Sequence, residues 1–353
     1  MARTLAALPA GSRITDYISL GVVTRFFPRE RIDEVLQRTG RASQRERDLP
    51  AHVVVYYVIA LALYMRSSYR EVLRCLLEGV QWLMNPSASL KVAGKSGISQ
   101  ARSRLGAEPV KALYEAVVAP MAGARTKGAW FHQWRLMSLD GSTLDVADTA
   151  ENDAAFGRPG ASRGNSAYPK IRFVALLENG THVLCAARMG KYSTDELTLA
   201  QDVVPALAKG MLCLADRFFP SYQLWQLASQ TKADLLWRTR QNARLEVDHR
   251  LAPARELAAI YHERWEIENA LDELKTHLRG AQIVLRSKTP ELVQQEFYGL
   301  LMAHYAVRGL MHEAALRADE DPDRLSFLHA VRVVQRRVGA YGAIPPSAQE
   351  TLS

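Results

Sequence analysis

A chain of 353 residues, 48% of them hydrophobic, is long enough for two domains with real cores, which excludes disorder as its main state. Lysine and arginine number 45 against 37 aspartates and glutamates, a formal net charge of +8. Residues 1–130 hold 19 basic and 10 acidic side chains and residues 131–353 hold 26 and 27, so the whole positive surplus lies in the N-terminal third. Clustered cations gain by displacing counterions from phosphates, so this front part reads as polyanion-binding, with nucleic acid and a membrane surface as the competing partners.

Up to about residue 127 the pattern is helical. Long stretches lack period-two alternation and are punctuated by Gly40, Pro50, Asn85, Pro86, Gly94 and Pro109. The longest apolar run, residues 53–65, is 13 residues long, too short for the roughly 20 that a bilayer helix needs, and is predicted to be a buried core helix. Residues 1–9 contain no apolar stretch of signal-peptide length, so a cytosolic location is expected. Cys75, Cys185 and Cys213 are odd in number and far apart, which argues against a disulfide framework or a structural zinc site. The nine histidines have no ligand spacing and read as structural. Residues 96–106 are predicted to form a short helix with Ser99, Gln100, Arg102 and Arg104, side chains that can reach phosphates or base edges; a solvated helix face is the alternative.

From residue 136 the texture changes to short apolar runs separated by turn signals. Strands are predicted over 136–140, 171–177 and 181–187, the last two joined by the hairpin signal Asn179-Gly180. A capping box over 193–196 opens a helix to about 208, followed by a strand at 211–215, a helix near 222–229, a strand at 233–239 and a long helix from about 253 to 279. The order βββαβαβα describes an α/β sheet and is also that of a ribonuclease-H-like fold. The expected organisation is a basic helical domain over 1–130, an α/β domain over 131–332 and a tail over 333–353.

Asp140 and Asp216 are each predicted to close a strand, where ligands gather in open α/β sheets. Asp140-Gly141 also reads as a plain turn. On the long helix Tyr261, Arg264, Glu268 and Lys275 fall at offsets 0, 3, 7 and 14, within roughly 60° of arc at 100° per residue. A surface stripe of ion pairs is the competing reading, and Glu263, Glu266 and Glu273 are expected to be solvated. Three carboxylates from two strands and a helix form an oxygen-rich site for hard cations such as Mg²⁺, two of which can carry phosphoryl transfer. Arg264 and Lys275 can hold phosphate beside them.

These residues resemble the DDE transposases of bacterial insertion sequences, specifically the insertion-sequence-four family. The matching segments are 138–146 with 148–152, 214–218 and 261–275, and the last carries the family's Y-(2)-R-(3)-E-(6)-K signature in full. Residues 14–115 resemble the family's helical N-terminal domain. The resemblance implies a ribonuclease-H-like fold, Asp140, Asp216 and Glu268 as a metal-binding triad for two Mg²⁺ ions (with Mn²⁺ as a substitute), and Tyr261, Arg264 and Lys275 on transposon-end phosphates; Arg102 and Arg104, from the predicted helix over 96–106, are the further DNA contacts expected on their own side-chain chemistry. It also implies cleavage of double-stranded DNA at terminal inverted repeats, joining of the freed 3′-hydroxyl to target DNA, and work as a homodimer on DNA. One departure stands out: only 51 residues separate Asp216 from Glu268, where relatives carry a sizeable β-rich insertion. The alternative is therefore a deletion remnant that binds transposon ends without cutting and acts as a regulator.

Overall fold

The structure, a computed structural model, describes residues 21–44, 49–84, 93–161, 164–165, 168–241, 253–280 and 284–335. The described N-terminal part is helical: α1 (Arg29–Arg38), α2 (Ala51–Leu63), α3 (Tyr69–Met84), α4 (Lys95–Leu105) and α5 (Glu108–Val117). The apolar run predicted as a core helix is α2, and its residues from Val53 to Leu63 are buried on every side. No described helix is long and apolar enough to cross a membrane.

The rest is a mixed α/β unit around one sheet. Its strands are β1 (Trp130–Phe131), β2 (Trp134–Asp145), β5 (Lys170–Glu178), β6 (Val183–Lys191), β7 (Met211–Ala215) and β8 (Asp234–Trp237); α6 (Ala150–Phe156) and a small hairpin of β3 (Gly160–Ala161) and β4 (Gly164–Asn165) lie between β2 and β5. The sheet order is β6-β5-β2-β7-β8, with β1 paired to β2. The β6, β5 and β2 strands are antiparallel, as the Asn179-Gly180 hairpin predicts, while β2, β7 and β8 run parallel. The helices α7 (Glu196–Val203) and α8 (Tyr222–Gln230) make the parallel connections.

Alternation along β5 assigns the two faces of the sheet. Val174 and Leu176 pack with α7, α8 and Trp237, whereas Phe173, Ala175 and Leu177 pack on the opposite face. That second face is covered by α11 (Pro290–Ala318), a 29-residue helix buried along most of its length. The same helix lies against α2, so one continuous apolar core runs from the N-terminal helices through α11 to the sheet. Phe173 and Phe297 meet across it at 5.3 Å between ring centroids, and the Tyr114 hydroxyl donates to the Leu184 carbonyl at 2.7 Å.

The long helix expected over 253–279 is interrupted. It runs as α9 (Ala254–His262), breaks at Glu263 and Arg264, resumes as α10 (Trp265–Asp272) and widens into a π-helical turn over Glu273–Leu278. The break has an identifiable cause, because the buried Asn179 side chain donates from Nδ2 to the Glu263 carbonyl at 2.8 Å and takes the place of a helical donor. The hairpin turn therefore anchors the middle of this helix. Gly180 makes the close fit possible: its φ is +75°, and a Cβ there would lie 2.6 Å from the Ala129 nitrogen. A final helix, α12 (Phe327–Gln335), follows α11.

Candidate active site

The parallel pairing of β2 with β7 aligns Leu139 with Ala215, so Asp140 and Asp216, the next residues on each chain, stand side by side where that pairing ends. The expectation that Asp140 closes its strand needs correcting. The β2 strand continues to Asp145 because its other partner, β5, runs on beside it; what ends at Leu139 is the pairing with β7. Asp140 thus sits at a notch in the sheet where the neighbouring strand has stopped. Burial pushes its carboxyl up to about 6, with the carboxylates of Asp216 and Glu196 adding to the rise and the Gly141 N–H and Arg264 opposing it.

Arg264, at the helix break, joins the strands to the helix. Its Nη1 donates to Asp140 Oδ2 at 3.4 Å and its Nη2 to Glu268 Oε1 at 2.9 Å, and the residue is only 8% exposed. Glu268 remains accessible, with 42% of its side chain exposed. Tyr261 stands on the same side: burial raises its phenol, Arg264 opposes the rise and Asp216 adds to it. Lys275, in the π-helical turn, donates from Nζ to Ser142 Oγ at 3.1 Å, and Ser142 projects from the same face of β2 as Asp140. Asp140, Asp216, Arg264, Glu268 and Tyr261 are thus gathered at one place, with Lys275 one step along the strand.

Glu196 completes the group and was hidden in the sequence by the capping-box reading. The helix N-cap is in fact Asp195, whose side chain accepts from the Leu197 N–H at 3.3 Å, so Glu196 is free of capping. Its carboxylate lies across Gly141 and takes a hydrogen bond from Arg172 Nη1 at 3.2 Å. Burial raises its carboxyl, Arg172 opposes this and Asp216 adds to it. The missing side chain in Asp140-Gly141 was the available signal, since glycine lets a second carboxylate approach the strand.

Two expectations about charge are corrected. Arg102 does not reach solvent: it is 2% exposed, and its guanidinium donates to Gln295 Oε1, Ser287 Oγ and the Leu292 carbonyl at 3.0 to 3.1 Å. It joins α4 to α11, because the buried positions of α4 (Ile98, Ala101, Arg102, Leu105) share one face. Arg104, two residues on, is exposed. Glu266 and Glu273 are buried as well, at 8% exposed each, where the Gly180 N–H donates to Glu266 and Arg308 to Glu273; of the three only Glu263 is solvated.

Two family profiles match the chain in tandem. Residues 17–115 match the insertion element 4 transposase N-terminal region, and residues 134–306 match the transposase DDE domain. The chain belongs to the insertion-element-4 group of DDE transposases. Among similar proteins, Transposase InsG for insertion sequence element IS4 of Escherichia coli (strain K12) is 28% identical over 381 residues, covering 92% of this chain and 84% of the relative. Putative transposase InsZ of the same organism is 25% identical over 295 residues, covering 82% of this chain and 90% of the relative. The alignment with InsG is longer than the 353 residues of this transposase, so it opens gaps in it. Residues 242–252, where the family's insertion is expected to be missing, lie outside the described residues.

Proposed function

We propose that this transposase binds the double-stranded ends of its own insertion sequence as a homodimer, cuts at the terminal inverted repeats and joins the freed 3′-hydroxyl to target DNA. The observation that carries the reading is the alignment of Asp140 with Asp216 at the parallel strand notch, with Glu268 tied to Asp140 through one guanidinium. On this reading the sheet is ribonuclease-H-like, residues 131–332 are catalytic, residues 1–130 are the DNA-binding part, residues 333–353 are a tail, and the protein works in the bacterial cytoplasm.

The donor set fits a hard divalent cation. Asp140, Asp216 and Glu268 offer only carboxylate oxygens, and the elevated carboxyl of Asp140 is that of a buried acid with too little positive charge beside it. These three residues would hold Mg²⁺, as two ions and with Mn²⁺ as a substitute, which when bound supplies Lewis-acid stabilisation of phosphoryl oxygens and an activated attacking oxygen. Arg264, already fixed as a fork between two carboxylates, is pre-organised to meet a phosphate bidentately. Lys275 offers a point charge farther along, and the Tyr261 phenol stays protonated at neutral pH and can donate to a phosphate oxygen. Arg104 contacts the backbone from the exposed side of α4.

The test uses purified protein, labelled DNA carrying the ends of the element that encodes it, and Mg²⁺, with Asp140→Asn and Glu268→Gln beside the wild type. Binding and strand cleavage are scored separately. Cleavage by the wild type alone, with binding kept in both variants, is the expected result. Binding without nicking by the wild type would support instead a remnant that occupies transposon ends and regulates, the reading favoured by the 51 residues between Asp216 and Glu268. Nicking that persists in both variants would show the carboxylate assignment to be wrong.

A further inference from the structure

Beneath the helix that carries Glu268 lies a second group of ligand-type side chains. His182 comes from the turn between β5 and β6, Glu266 from the first turn of α10, and Asp323 from the short helical turn Pro322–Arg324 after α11. One ligand atom from each lies within 4.8 Å of the other two. His182 Nε2 is 3.1 Å from Asp323 Oδ1 and 3.7 Å from Glu266 Oε2. A tetrahedral zinc centre with N and O bonds of about 2.0–2.1 Å sets neighbouring ligand atoms roughly 3.3 Å apart, between these two separations.

His182 is 4% exposed, and its Nε2 is sealed from solvent without a hydrogen-bond partner, although it faces two carboxylates. Such an atom is expensive to bury unless something occupies the space in front of it. The other ring nitrogen explains how a lone pair can be held there. Nδ1 is 3.3 Å from Glu273 Oε1, which can accept its hydrogen and leave Nε2 free as a ligand, the carboxylate–histidine–metal arrangement. Arg308 Nη2 lies against the same Nδ1 and can only donate to it, so the tautomer that frees Nε2 for an ion is the one in which Nδ1 gives its hydrogen to Glu273 and Arg308 turns wholly to that carboxylate; Arg308 Nε donates to Glu273 Oε2 at 2.8 Å and His304 Nε2 lies 3.2 Å from it. The Glu273 carboxylate is thereby fixed behind the imidazole. His182 has φ at +57°, the left-handed conformation of the turn between β5 and β6, one that histidine takes more readily than most residues.

Charge points the same way. Glu266, Glu273 and Asp323 surround the imidazoles, yet among the described residues Arg308 is the one arginine or lysine that pairs with any of them. With one guanidinium among three carboxyl groups the cluster is rich in acidic ligands, as a cation site must be. Asp323 keeps 30% of its side chain exposed and opens the group to solvent, giving an ion a way in and a water room as fourth ligand.

We propose that His182, Glu266 and Asp323 form a structural site for a borderline transition-metal dication such as Zn²⁺, separate from the Asp140, Asp216 and Glu268 carboxylates. A nitrogen with two oxygens in a closed, half-dry pocket suits zinc, whereas Mg²⁺ demands an all-oxygen octahedron with several waters. The bound ion would brace three distant stretches of chain, and through Glu266 it would fix the helix two residues before Glu268. Ligand spacing could not reveal the site because its members are 84 and 57 residues apart in sequence.

The test takes full-length protein stripped with EDTA and dialysed, then titrates it with Zn²⁺ by calorimetry, with metal content measured by mass spectrometry and Co²⁺ substituted to read coordination from visible absorption. One tightly bound zinc per chain, a rise in Tm on adding it, and tetrahedral-type cobalt bands are expected. Asp323→Asn, at an accessible position, should keep its circular dichroism and bind zinc roughly tenfold or more weakly, since losing even an outer partner of a metal ligand costs 10–100-fold. Glu266→Gln and His182→Gln should weaken it likewise, while Asp140→Asn and Glu268→Gln should bind as the wild type does. Absence of stoichiometric zinc overturns the proposal, as does unchanged affinity in Asp323→Asn and His182→Gln, or loss of zinc in Asp140→Asn instead. The outcome is independent of DNA cleavage.

Discussion

Glu196 lies across the backbone of Gly141, where a Cβ would come 2.5 Å from its carboxyl carbon. A side chain after Asp140 therefore displaces the flexible end of Glu196, a fourth carboxylate that sits beside Asp140 and Asp216. Gly141→Ala should lower DNA cleavage roughly 10–100-fold, comparable to the loss of an outer-shell partner in a metal site, while binding to DNA ends stays near wild type. Glu196→Gln should cost a similar factor and shift the Mg²⁺ dependence to higher concentration. Equal loss of binding and cleavage in both variants would mean that the fold, and not the site, had been damaged.

Arg264 donates to Asp140 and Glu268 at once, a geometry that a point charge cannot copy. Arg264→Lys should therefore lose cleavage by about 10²-fold, the scale of a misplaced catalytic group, with little change in Tm. A double-mutant cycle with Glu268→Gln, read in cleavage rate, should show strong non-additivity because the two side chains act as a unit. Additive losses would separate the arginine from the carboxylates in function.

The buried carboxyl of Asp140 gives a pH-dependent stability with a definite sign. Its value, about 6 when folded, lies above the ordinary carboxyl range, so the folded state holds its proton more tightly than the unfolded chain does. In metal-free buffer the ionised group then costs stability, a cost that grows as pH rises from the ordinary range through 6 and levels off above it, at about 3 kcal/mol. Asp140→Asn should melt higher than wild type at pH 8 in EDTA, and the gap should close by pH 4. Added Mg²⁺ should raise the wild type alone. A gap that does not vary with pH would mean that its neighbours, the Gly141 N–H first and Arg264 after it, stabilise the ionised carboxylate by as much as burial costs it.

Much of this arrangement was legible because each clue was local. The strand at Met211–Ala215, the Asn179-Gly180 hairpin and the apolar α2 are set by runs of residues that need no distant partner to be recognised. Spacing also placed Arg264 and Glu268 together, since four residues apart remain neighbours on either side of a small distortion. The misreadings all came from tertiary contacts. Asn179 meets the long helix at its break from a hairpin 84 residues away, and Glu266 and Glu273 are buried against the hairpin turn and α11, partners that spacing along the helix does not show. Glu196 was assigned to a cap because Ser193 precedes it at the right spacing, and only the folded chain shows Asp195 taking that role.

Arg102 and Arg104 provide the sharpest contrast between neighbouring charges. Both read as DNA contacts in the sequence, yet Arg102 spends its guanidinium on Gln295, Ser287 and the Leu292 carbonyl inside the α4–α11 interface, and Gln295 Nε2 returns a hydrogen bond to the Arg102 carbonyl at 2.8 Å. Truncating it strands Gln295 Oε1 and leaves a cavity, so Arg102→Ala should cost about 3 kcal/mol of folding stability, seen as a lower denaturant midpoint. Arg104→Ala removes an exposed side chain and should leave that midpoint within about 0.5 kcal/mol of wild type. In DNA binding the order reverses. Arg104→Ala should weaken binding uniformly across sequences and flatten the plot of log affinity against log salt by about one unit. Arg102→Ala, assayed at a temperature where it remains folded, should keep the wild-type slope, and a reduced slope there would mean that the buried guanidinium swings out to meet DNA.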